Sequence, residues 1–248
     1  MLTSVFAAPL LASLLLVVGL LTAPIERWFY GADDGTRRKL IGYGATIGVL
    51  WTLTLAALWI CGWEPLLHSS VAMAAWLPAP PAAPIAGTAL GAVVAAYFIV
   101  AMLPFFQSLR GPRWRAAYAA AIRRVFAALP GLLPNTAAER SAFLLLSLSA
   151  GVCEEVLYRG FLIRFLHEGA LALPITGALA VSSLAFGLGH AYQGFKGVLS
   201  TTVAGLGMGL LFLLSGSLIP VMVLHAVIDM QIVYVLLPVS GSRVPAAA

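Results

Sequence analysis

Several stretches of this chain run for about 20 residues or more without a charged side chain, the length an α-helix needs to cross a hydrocarbon core of roughly 30 Å. Composition agrees with that reading. Of 248 residues, 61% are hydrophobic and 9% charged, whereas a soluble domain carries about 25% charged residues. Too little polar surface is left to face water all round. The expected fold class is therefore all-α: a polytopic transmembrane helical bundle of about seven spans.

Hydropathy and length place the helices at about 2–24, 40–62, 85–107, 141–163, 170–190, 197–214 and 217–238. No basic residue precedes the first span, so it is expected to be a retained helix rather than a secretory signal. The net charge of +5 does not point to nucleic acid, because the basic residues lie in loops between apolar runs, where they set orientation. With the N-terminus outside, twelve Lys and Arg fall in cytoplasmic loops and only Arg159 and Arg164 on the other side. The expected topology is a multi-pass plasma-membrane protein, N-terminus out and C-terminus in. The richest loop holds Arg110, Arg113, Arg115, Arg123, Arg124 and Arg140. Within it, 114–129 interleaves Arg with aromatic and aliphatic residues, a pattern open to two readings: an amphipathic helix on an anionic leaflet or a solvated basic loop. The loop after the second span contains the Pro/Ala stretch 78–84 and no Lys or Arg. No internal repeat is evident. Gly205 and Gly209 share the spacing that lets helix backbones approach closely. Cys61 and Cys153 fall inside spans far apart in sequence, which indicates neither a disulfide framework nor a Cys-rich metal site.

Charged side chains at membrane depth are costly and usually serve a function. The last four spans hold an unusual set: Glu154, Glu155 and Arg159 in the fourth, Phe186 and His190 in the fifth, His225 and Asp229 in the seventh. Glu155 and Arg159, four apart, share a helix face and can form an ion pair. Glu154 points about 100° away and has no charge partner on its own helix. Such a carboxylate can act as a general base or acid. His225 and Asp229 also share a face; the Asp either orients the imidazole or joins it in pointing at a reacting group. Cys153 beside Glu154 is expected to be inert, since burial favours the thiol over the reactive thiolate.

Glu154-Glu155-x-x-x-Arg159, Phe186-x-x-x-His190 and His225-x-x-x-Asp229, in that order, resemble the three-motif signature of the CPBP family. These are the Abi-type intramembrane proteases that process CAAX proteins and bacteriocins. Ser215 to Pro220 is similar to the family's approach to its final His. The resemblance covers about 141–238 and divides the chain into 1–140, three spans plus the basic loop, and 141–248, a four-span catalytic core. It implies that Glu154 activates water with His190, that Glu155 and Arg159 support the site, and that His225 polarises the scissile carbonyl or stabilises its oxyanion. The family often has Asn where this chain has Asp229, and an ionised Asp cannot donate to an oxyanion. The substrate implied is a membrane-associated peptide or protein, in part of the family a prenylated one. Glu154, His190 and His225 form a two-His-one-carboxylate set that suits Zn, yet the same residues suit a metal-free glutamate mechanism, so the cofactor is either none or Zn. Two other classes stay open: a proton-coupled transporter using a Glu/His/Asp relay, and a non-catalytic peptide-binding immunity protein. The expected boundaries also raise a conflict. They put Glu154 about 13 residues, or ~20 Å, from the cytoplasmic end of its span, and His190 at the cytoplasmic end of the next. The two can share a water only if those edges differ.

Overall fold

The computed structural model describes residues 2–32, 35–69, 82–169 and 171–237. Residues 78–81, the expected helix ends at 170 and 238, and Arg243 lie outside them. Ten α-helices follow in order: α1 (Leu2–Tyr30), α2 (Thr36–Cys61), α3 (Glu64–Leu67), α4 (Ala82–Ser108), α5 (Pro112–Val125), α6 (Ala137–Glu154), α7 (Ile163–Glu168), α8 (Ile175–Leu188), α9 (Gly194–Ser215) and α10 (Ile219–Val235). A π-helical segment, Glu155–Leu162, joins α6 to α7 without a break. Among the described residues the only β pairing is a single bridge between His68 and Ser217. The all-α membrane class is therefore the observed one. Among the described residues, four helical stretches can by length and composition cross a membrane: Thr36–Cys61, Ile85–Ser108, Ala137–Glu168 and Ala191–Ser215. α8 and α10, with 14 and 17 residues, are apolar but shorter than a full span.

Local chemistry fixes where several helices begin and end. Thr136 caps α6 through a reciprocal box, in which Glu139 N donates to Thr136 Oγ1 at 3.2 Å and Thr136 N to Glu139 Oε2 at 3.3 Å; such a pair satisfies two orphan donors. The same carboxylate accepts from Thr36 Oγ1 at 2.5 Å and pairs with Lys39 Nζ at 3.4 Å. The start of α2 is thereby tied to the start of α6. Gly216, at φ 70°, terminates α9 in the left-handed conformation glycine adopts without strain. Pro112 and Pro220 occupy the first turns of α5 and α10, where a missing N–H costs nothing.

α6 packs between α2 and α10, and α8 packs against both α1 and α9. Two close approaches set the site. A Cβ at Gly151 would stand 2.8 Å from the backbone N of Ala226, so α6 and α10 meet backbone to backbone. A Cβ at Gly187 would stand 2.8 Å from the Val198 carbonyl, which brings α8 equally near to α9. The main core gathers around the π segment, with Leu157, Phe161, Leu162, Leu218 and Val221 all buried.

The helix edges differ from those expected. The fourth helical stretch runs from 137 to 168 rather than 141–163, because the capping box starts it earlier and the π segment carries it on. The fifth is shorter, Ile175–Leu188 against 170–190, because the chain turns at Gly189 and His190. The basic loop does contain a helix, α5, beginning at Pro112 and ending at Val125.

Candidate active site

The centre of the site is Glu155, which is fully buried. Its Oε1 accepts from Arg159 Nη1 at 2.8 Å and bonds His225 Nδ1 at 2.6 Å. A carboxylate oxygen can only accept, so Nδ1 carries the hydrogen and the imidazole is locked by a charge-assisted bond. Arg159 has two further partners. Its Nη2 donates to the Gly205 carbonyl at 3.3 Å, and its guanidinium lies 4.2 Å over the Phe186 ring. A buried guanidinium needs this many partners to offset lost hydration. Gly205, expected only to help helices pack, is thus also a ligand of the buried cation; a Cβ there would crowd the guanidinium at 3.3 Å and Phe186 at 3.1 Å.

The other edge of His225 faces two carboxylates. Its Nε2 lies 3.8 Å from Glu154 Oε2 and 3.7 Å from Asp229 Oδ2. Both distances exceed a direct hydrogen bond. Glu154 Oε2 is buried and has no hydrogen-bond partner among the described residues. His190 sits on the turn after α8, with Nδ1 2.9 Å from the Phe186 carbonyl. Because a carbonyl only accepts, that nitrogen carries the hydrogen, and a neutral imidazole then presents a bare Nε2. Phe186 links the parts, with its ring centroid 4.9 Å from that of His190 and 5.9 Å from that of His225.

Glu154, His190 and Asp229 line one cavity of about 320 Å³. This removes the conflict raised by the expected boundaries: α8 stops early, and the cavity brings its terminal turn beside the middle of the 137–168 helix. The rest of the lining is mostly apolar and comes from outside the motifs, including Leu15, Phe29 and Tyr30 of α1, Leu53 of α2, and Phe126. Tyr158, Tyr192 and Glu26 also line it, and sequence reasoning singled out none of them as site residues. Only Tyr158 had a signal, its place inside the first motif. Cys153 is buried and unpaired, as expected of an inert thiol.

The π segment matters to this arrangement. Its wider hydrogen-bond register is rare and occurs mostly at functional sites. Here Ile163 N bonds the Tyr158 carbonyl, and Ser182 Oγ of α8 donates to the same oxygen at 2.7 Å. Among the described residues, no three His, Cys, Asp or Glu side chains converge into a group that could hold a metal ion. In the Glu154, His190 and His225 set each imidazole is held through Nδ1, by the Phe186 carbonyl or by Glu155, which leaves Nε2 of each ring open to water or to a metal. No step below passes through a metal.

Residues 136–231 match the model of a family described as type II CAAX prenyl endopeptidase, Rce1-like. Searches of curated proteins and of solved structures return no match. The matched stretch begins at the Thr136 cap of α6 and ends two residues beyond Asp229, so it holds all three motifs. The segment 136–231, and with it Glu154, Glu155, Arg159, Phe186, His190, His225 and Asp229, is thus similar to the type II CAAX prenyl endopeptidases of the Rce1-like family.

Proposed function

We propose that the chain hydrolyses a peptide bond of a membrane-associated substrate by a water that Glu154 deprotonates. The observation that carries this reading is the partnerless Glu154 Oε2 at a cavity which also presents His190 and Asp229. Water bound between Glu154 and the bare Nε2 of His190 loses a proton to Glu154 as its oxygen attacks the scissile carbonyl. The oxyanion that forms accepts from Nε2–H of His225 in its doubly protonated, cationic form, whose ring is held in place by Glu155 through Nδ1–H. The proton on Glu154 then passes to the amide nitrogen, the C–N bond breaks, and a carboxylic acid and an amine form; the acid's proton passes to the amine or to water as the products leave.

In this reading Glu155, bonded to His225 Nδ1, orients the ring, and Asp229 does not. Asp229 approaches the other nitrogen, Nε2, which also lies near Glu154, and itself lines the cavity, so it shares the site instead of steering the ring from behind. In its protonated form it adds a second donor for the oxyanion.

Membrane-fraction peptide termini from cells carrying the wild type or Glu154→Gln test the proposal. New termini that appear only with the wild type support hydrolysis and identify the substrate. Matching profiles alongside a wild-type phenotype lost in the variant would sink it and leave transport as the better account. Matching profiles with the phenotype intact in both point to peptide binding without catalysis.

A further inference from the structure

The chain carries no acidic residue between Glu64 and Glu139, while five of the six Arg of the basic loop lie within 110–124. α5 sorts them. Its inner side, with Tyr118, Ile122 and Phe126, packs with Phe105, Leu133 and Val235, and Arg115 lies 5.7 Å over the Tyr234 ring of α10. On the outer side Arg113 and Arg124 fall on one face at helical spacing, separated by Ala117 and Ala120, with Arg123 and Trp114 on the flanks; all six are exposed. Arg110, in the turn that enters the helix, is exposed as well. Arg110, Arg113, Arg123 and Arg124 make no ion pair or side-chain hydrogen bond among the described residues.

We propose that the outer face of α5 is a docking surface for anionic phospholipid headgroups, seated where α4 leaves the bilayer. Three observations meet there. The turn at Gly111 places α5 directly after a helix long and apolar enough to cross a membrane. The face is of one sign and unpaired, which anionic headgroups complement within a Debye length. Trp114, half exposed beside Arg113, is the aromatic type that settles at headgroup depth. The short alanines between the guanidinium groups let phosphates approach the helix closely.

The test uses the full chain in bilayers of phosphatidylcholine alone or with phosphatidylglycerol, read by amide hydrogen exchange along α5. It does not depend on cleavage, so it stands or falls apart from the protease reading. In the wild type, α5 amides are expected to exchange on the order of tenfold more slowly when the anionic lipid is present, with the difference shrinking at high salt. Changing Arg113, Arg123 and Arg124 together to Gln removes the difference; changing them together to Lys keeps it. Equal exchange of the wild type in both bilayers overturns the proposal, as does a retained difference in the Gln variant. Slowing by soluble polyglutamate over phosphatidylcholine, without slowing by phosphatidylglycerol, also overturns it and assigns the face to a soluble acidic partner.

Discussion

Glu154 and Glu155 are neighbours in sequence that differ in their partners. Glu155 holds Arg159 and His225 through Oε1, while among the described residues Glu154 makes no side-chain hydrogen bond through Oε2 and has only His225 Nε2 nearby, at 3.8 Å. A buried polar atom left unsatisfied destabilises the fold, so opposite responses to substitution are expected. Glu154→Gln should cut cleavage by about 10²-fold or more while thermal unfolding in detergent stays at or above the wild-type temperature. Glu155→Ala strands a buried guanidinium, and the expected cost is about 3–5 kcal/mol, with lower expression and activity lost together. Equal losses of stability in the two variants would contradict the division of roles. Arg159→Lys tests the cation. A single ammonium cannot pair with Glu155, reach the Gly205 carbonyl and stack on Phe186 at once. Reduced turnover with a loosened His225, visible as a changed imidazole NMR signal, is the expected result.

At the scale of helices, the distance between α6 and α10 decides whether His225 reaches Glu155. Gly151 sets it. Gly151→Val should drive Ala226 away, with a loss of about 1–3 kcal/mol and most of the activity, whereas Gly48→Ala in α2, with nothing within 4 Å of the added Cβ, should leave both unchanged. A tolerant Gly151 would show that this approach does not hold the site. Pairs such as Glu155 with Arg159 and His225 with Asp229 were legible in the sequence because helical periodicity alone puts residues four apart on one face. The junction of Glu155 with His225, 70 positions apart, was not, and the family resemblance only implied that the two motifs meet. The π segment left no trace either, since composition encodes a helix but not its hydrogen-bond register. The early stop of α8 was hidden for a similar reason: an apolar run continues to Leu188, and only the turn at Gly189 reveals where the helix gives way.

For the whole molecule, the N-terminal helices do more than anchor. α1 and α2 line the cavity, Trp51 Nε1 donates to Ser149 Oγ at 3.2 Å, and the buried Lys39–Glu139 pair clamps α2 to α6. Lys39→Met alone should cost about 3–5 kcal/mol, and adding Glu139→Gln should recover part of it; thermal unfolding of the two variants checks the order. That contribution of 1–140 was invisible in sequence, because its residues match no motif and act only by apposition. The His68–Ser217 bridge has a further consequence. Leu218 N bonds the Leu67 carbonyl and Ser69 N bonds the Gly216 carbonyl, so the hairpin that launches α10 is fastened to a segment made some 150 residues earlier. During synthesis α10, with His225 and Asp229, is made only after the segment that anchors it. A nascent chain therefore carries Glu155 before the imidazole that bonds it, and the buried junction of the two forms only once α10 has been made.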